Sequence, residues 1–251
     1  LTTKAFRVEL KYYVSVFGVL PIQKSISNND EENALNAPNS NPVPDNCRKM
    51  RIFFFLFCAL LFLFTAKADD DPVTCTSIMK LLNVNEKVRL HSHDVKYGSG
   101  SGQQSITGMP DSGDVNSHWQ ILPAIGDECL RGEPIKCGTT IRFMHLTTRC
   151  FLHSHLFPAP LSRSHQEISC FGKEGEGSDT GDHYKVVCNG DLWNEDDEVR
   201  FKHVDTGMYL ATSGQQYGRP ISGQREVVGR SSSSGYDALW TTAEGIYIKS
   251  S

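Results

Sequence analysis

From residue 73 to 249 apolar and polar residues alternate in short runs, as in Val88-Arg89-Leu90-His91-Ser92-His93 and Val199-Arg200-Phe201-Lys202-His203-Val204. A period of two over four to six residues, bounded by Gly, Pro, Asn and Asp, predicts half-buried β-strands. No stretch there sustains a capped 3.6-residue apolar period, so no α-helix is expected.

The pattern recurs three times. Met79-Lys80-Leu81 returns as Ile141-Arg142-Phe143 and as Val199-Arg200-Phe201. Nine residues after each third member stand Leu90, Leu152 and Leu210, followed by His-Ser-His, His-Ser-His and Ala-Thr-Ser. Gln104-Ser105-Ile106-Thr107, Gln166-Glu167-Ile168-Ser169 and Arg225-Glu226-Val227-Val228 come next, and each unit closes on Trp119, Tyr184 or Trp240. The leucines are offset by 62 and 58 residues. Four landmarks in one order, three times, define a repeat. Three units of four strands give about twelve short strands, and closure into a hairpin-capped barrel removes the exposed edges. The expected fold is therefore all-β, a β-trefoil with repeats at about 73–130, 134–189 and 191–249.

The first third reads differently. Met50-Arg51, the 13-residue apolar run 52–64 and Thr65-Ala66-Lys67-Ala68 form a basic n-region, an apolar core and an Ala-x-Ala cleavage site. Together they predict a secretory signal peptide at 50–68. The run falls short of the roughly 20 residues that span a bilayer. Met50 is the first methionine, and 1–49 is rich in Asn, Ser and Pro from Ser25 to Asn46. This leader is read as translation upstream of the true start, disordered and outside the fold, with a genuine disordered extension as the other reading.

Composition then changes the picture in two ways. The prefix 1–68 holds eight of the 25 basic and five of the 29 acidic residues, so 69–251 carries a net charge of −7. That argues against nucleic acid, which selects a basic stripe. Six of the eight cysteines lie after residue 68, and an even number behind a signal peptide favours disulfides.

Candidate chemistry is sparse. His91/His93 and His153/His155 share strand faces as i, i+2 pairs and could each chelate a metal. Repeat three carries Ala211 and Ser213 instead, and hydrogen bonding around the barrel mouth is the preferred reading, so neither metal nor cofactor is assigned. Gly98-Ser99-Gly100-Ser101-Gly102 has glycine where a Gly-x-Ser-x-Gly nucleophile elbow needs serine, falls in a hairpin, and lacks the Lys-Ser/Thr of a phosphate loop. No catalytic residue is expected. Tyr97 with Gln103 and Gln104, and Tyr217 with Arg219 and Gln224, occupy equivalent hairpins and could contact a glycan or a polypeptide. Partner contact is expected there, on loops held out to solvent, unless the tyrosines merely pin the hairpins. Repeat two has Phe157-Pro158-Ala159-Pro160 at that place.

Leu-His-Ser-His followed by Gln-x-Ile/Val and a late Trp or Tyr resembles the MIR repeat. The strings 88–108 (VRLHSHDVKYGSGSGQQSITG), 199–203 (VRFKH) and 216–227 (QYGRPISGQREV) are similar to the stromal cell-derived factor 2 proteins. The resemblance implies a non-enzymatic quality-control protein of the endoplasmic reticulum lumen. Its expected partners are a lumenal J-domain co-chaperone, a BiP-type Hsp70 chaperone, and misfolded or O-mannosylated clients. A secreted or lumenal lectin is the alternative. Family members end in a His-Asp-Glu-Leu-like tetrapeptide, whereas this sequence stops at Ile248-Lys249-Ser250-Ser251, which leaves retention or secretion open. In a trefoil unit the first and fourth strands are neighbours, so Cys75–Cys129 and Cys137–Cys188 are the natural pairs and match the family pattern. Cys150 and Cys170 look like an addition, either bridged across a hairpin or left as buried thiols.

Overall fold

The computed structural model describes residues 71–249, all within the unit Ala66–Ser251. The signal peptide expected at 50–68, its cleavage before Asp69 and the leader 1–49 lie outside the described residues. Twelve strands follow one another: β1 (Ile78–Asn83), β2 (Arg89–Lys96), β3 (Gln104–Met109), β4 (Trp119–Pro123), β5 (Thr140–His145), β6 (Phe151–Pro158), β7 (Gln166–Phe171), β8 (Tyr184–Val187), β9 (Arg200–His203), β10 (Tyr209–Gln216), β11 (Arg225–Arg230) and β12 (Trp240–Ile246). A short 3-10 turn precedes each of β4, β8 and β12, and no α-helix occurs among the described residues. This is the all-β chain of about twelve strands that the alternating pattern predicts.

Six strands close a ring, all antiparallel. β1 pairs with β4, β4 with β5, β5 with β8 and β8 with β9. The Val199–Trp240 bridge joins the start of β9 to β12, and β12 returns to β1. The other six form the hairpins β2–β3, β6–β7 and β10–β11, whose second strands pair mutually: β3 with β7, β7 with β11 and β11 with β3. Each hairpin has a register shift at the same place, after Ser92, Ser154 and Thr212. Bulges of this kind bend a strand and increase its twist, which suits the corner where a barrel strand becomes a cap strand.

The repeat landmarks are the core. Leu81, Leu90, Ile106 and Trp119, then Phe143, Leu152, Ile168 and Tyr184, then Phe201, Leu210, Val227 and Trp240 are each at most 1% exposed. Phe143 meets Phe201 edge-on at 4.9 Å, a preferred aromatic geometry. Three disulfides tie this scaffold: Cys75–Cys129, Cys137–Cys188 and Cys150–Cys170, with Cα separations of 6.2, 5.4 and 5.5 Å.

Candidate functional site

The three hairpins converge where β3, β7 and β11 meet, and most of the residues singled out from the sequence lie at or near this cap. Its arrangement begins with position. Counting from Ile106, Ile168 and Val227, the preceding residues are Ser105, Glu167 and Glu226, all buried. A carboxylate is stable out of water only when hydrogen bonds satisfy it, and both are caught by loops. Glu167 accepts a close bond from Ser101 Oγ, a longer one from Ser101 N–H at 3.4 Å, and lies 3.3 Å from His155 Nε2. Glu226 accepts from the Leu161 N–H at 2.6 Å, the Ser162 N–H at 3.2 Å and Ser213 Oγ at 2.6 Å. The acid of one repeat thus anchors the hairpin loop of the preceding repeat. Gly100 favours that contact: its φ is +67°, and a Cβ would fall 2.0 Å from Glu167 Oε2, so any larger residue would have to displace the carboxylate. Repeat one has only Ser105, so the loop of repeat three is fixed instead by Thr107 Oγ1 donating to Gln224 Oε1 at 2.5 Å.

The tyrosines belong to this anchoring. Tyr97 is 8% exposed. Its hydroxyl lies 2.9 Å from the Ile106 carbonyl and 3.0 Å from that of Ile168, and accepts the Ile106 N–H at 3.1 Å. Tyr217 is half-buried with its hydroxyl out of solvent. Burial pushes both phenols above their ordinary range, and for Tyr97 the neighbouring Tyr217 adds to the shift. The expectation that the tyrosines stand out to solvent is corrected for Tyr97, which is buried and pins two repeats together, whereas Tyr217 is partly exposed on its hairpin. Arg219 alone of that trio is exposed.

The histidine pairs differ in what they bond. His91 uses both nitrogens, Nδ1 on Asp114 Oδ2 at 2.7 Å and Nε2 on His93 Nδ1 at 2.6 Å. Burial and the neighbouring His91 lower the His93 pKa. In repeat two the rings diverge in their partners, His153 Nδ1 meeting Asp182 Oδ1 at 3.0 Å while His155 turns to Glu167 and Ser169.

Gln103 accepts the Tyr97 N–H on its carbonyl at 2.9 Å, and with Gln104 it lines a cleft of about 520 Å³ at the seam between repeats one and two. Asp94, Lys96, Thr148, Phe171, Lys173 and the Cys150–Cys170 disulfide also line it. Gln103 Oε1 accepts from Ser169 Oγ at 2.5 Å, and Gln104 Nε2 donates to Ser92 and Thr148 at 2.8 and 2.9 Å. Gln224 sits on another seam, under Thr107.

Two sets of residues escaped the sequence reading. The buried acids were visible as charges inside strand patterns, a signal in itself. Asn83, His145 and His203, each two residues after a landmark, clamp the following turn. Asn83 Oδ1 accepts from the Glu86 N–H at 3.0 Å, and the histidines bond Thr148 and Thr206 at 2.8 Å each. Their far ends reach the 3-10 turn of the neighbouring unit, at Asp237, Asn116 and Gly181. Burial lowers His145 to about 4 and lowers His203 as well.

A closed β-ring with a hairpin cap, three disulfides and polar groups committed to holding loops defines a scaffold of the MIR class, and the MIR domain model matches residues 80–187. The chain is 54% identical over 179 residues to stromal cell-derived factor 2 of Mus musculus, covering 71% of this chain and 83% of that protein. It is 50% identical over 186 residues to stromal cell-derived factor 2-like protein 1 of Bos taurus, covering 74% and 83%. The crystal structure of the SDF2-like protein from Arabidopsis thaliana superposes with a TM-score of 0.68 at 45% identity, over 71% of this chain and 98% of that one. The chain belongs to the stromal cell-derived factor 2 family. Family membership and three disulfides point to the secretory pathway, the compartment in which such bonds persist.

Proposed function

We propose that the chain is a non-enzymatic binding module of the endoplasmic reticulum lumen, a β-trefoil of three MIR repeats released by cleavage before Asp69. It serves a J-domain co-chaperone and BiP-type Hsp70 assembly that acts on misfolded or O-mannosylated clients. The observation that carries this reading is the family match at about half identity across the body of the fold. Its internal chemistry supports it: Glu167, Glu226 and His145 each bond their own scaffold rather than converge on a reacting atom.

Affinity capture of the secreted protein from a lumenal extract tests the proposal. A J-domain protein and the Hsp70 should co-elute without added sugar. Elution by free sugar alone would favour a second reading, a glycan-binding lectin, for which the seam cleft with Gln103, Gln104 and the partly exposed Phe171 is the specific support.

A further inference from the structure

The two histidine-bearing repeats serve as each other's control. In repeat one, His91 Nδ1 and Ser117 Oγ both bond Asp114 Oδ2, at 2.7 and 2.6 Å. Asp114 and Ser117 stand five and two residues before Trp119; the residues five and two before Tyr184 are Asp179 and Asp182. One histidine and one carboxylate therefore suffice for this corner of the fold, yet repeat two adds a second carboxylate. Repeat three, with Ala211, Gly235 and Ala238, dispenses with all three donors.

The added group is fully buried, and His153 Nδ1 lies 3.0 Å from Asp182 Oδ1 and 3.7 Å from Asp179 Oδ1. The three donor atoms all fall within 4.8 Å of one another. Gly181 makes the approach possible. A Cβ there would be 2.2 Å from His153 Cε1 and 2.9 Å from Asp179 Oδ1, while repeat one tolerates Asn116 at the same place. We propose that His153, Asp179 and Asp182 form a binding site for one zinc-like divalent cation.

The donor set favours that ion. Zinc bonds of about 2.0–2.2 Å place neighbouring tetrahedral donors about 3.4 Å apart, and the two His–Asp distances bracket this spacing. An imidazole ligand and only three protein donors suit a first-row metal, whereas calcium takes six to eight oxygens. The fourth position opens to water on the side of Asp179, whose side chain is 63% exposed. Outer groups already orient the ligands: Ser178 Oγ donates closely to Asp182, and the Gly181 N–H donates to Asp179 Oδ1 at 2.9 Å. The ion would tie the 178–182 turn to β6.

Zinc chloride titrated calorimetrically into the untagged, oxidised secreted protein tests the site. One equivalent should bind and raise the melting temperature, and cobalt(II) should give a tetrahedral visible absorption band. Asp182→Ser, which installs the residue repeat one uses, should fold, weaken zinc at least tenfold (about 1.4 kcal/mol) and abolish the band. Asp179→Asn provides a second variant that keeps the turn acceptor, and His93→Asn should leave zinc binding unchanged. Absence of zinc binding to the native protein, or native affinity in both aspartate variants, would overturn the assignment.

Discussion

Trp119 and Trp240 donate their indole N–H to the carbonyls of Leu90 and Leu210, both at 2.8 Å. The equivalent Tyr184 fills the same core position, but its hydroxyl is buried without a hydrogen-bond partner, and burial raises its pKa well above the usual range. An unsatisfied buried hydroxyl costs about 1–3 kcal/mol. Tyr184→Phe should therefore raise stability by about 1 kcal/mol in a denaturant titration; a loss of similar size would mean that the hydroxyl is satisfied after all. His145 is the second residue whose environment sets an observable. Its pKa is about 4 in the folded protein, against roughly 6.5 in an unfolded chain. The unfolded state then binds more protons between pH 6.5 and 4, so this contribution to stability is complete above pH 6.5 and lost as pH falls through that window. The shift corresponds to about 3 kcal/mol. His145→Asn, the residue that Asn83 supplies in repeat one, should flatten the unfolding free energy between pH 6.5 and 4.5.

At the scale of elements, the strands were legible because they read two faces with one period, whereas the anchoring of the hairpins was not. Leu90, Leu152 and Leu210 announce their burial by type. Glu167 and Glu226 are residues that composition assigns to solvent, and only the loops crossing above them explain why they are inside. Tyr97 misled for the same reason: its flanking glycines suggested an outward loop, but a hairpin that bends over the cap turns its tyrosine inward. These anchors are separable. Glu167→Gln should release Ser101 and accelerate amide hydrogen exchange across 98–103, while 217–224, held by Thr107 and Gln224, exchanges at the native rate. Uniform acceleration of all three hairpins would show that the cap opens as one unit and that the carboxylates do not act loop by loop.

For the whole molecule, the repeats agree in the core and differ at the seams, and the third disulfide is the sharpest difference. Cys150 occupies the place of Val88 and Met208, two residues before the buried leucine; Cys170 occupies that of Gly108 and Gly229. In repeats one and three the glycine leaves room for its neighbour, since a Cβ on Gly108 would clash with Val88 Cγ2 at 2.5 Å and one on Gly229 would sit tightly against Met208 Cβ at 3.2 Å. Repeat two replaces this large-against-glycine contact with a covalent bond. A bridge closing 20 residues contributes roughly 3 kcal/mol by chain entropy, and one closing 54, such as Cys75–Cys129, roughly 4. Cys150→Val with Cys170→Gly transplants the repeat-one solution, so part of the loss returns as packing between the new pair. The double variant should remain oxidised at the other two bridges, unfold in one cooperative transition, and lose no more than about 3 kcal/mol. Cys75→Ser with Cys129→Ser should lose more, because the closed loop is longer and the two serines put no packing in place of the bridge. A Val–Gly variant less stable than the Cys75/Cys129 variant would mean that the seam between repeats one and two depends on its disulfide in a way the other seams do not.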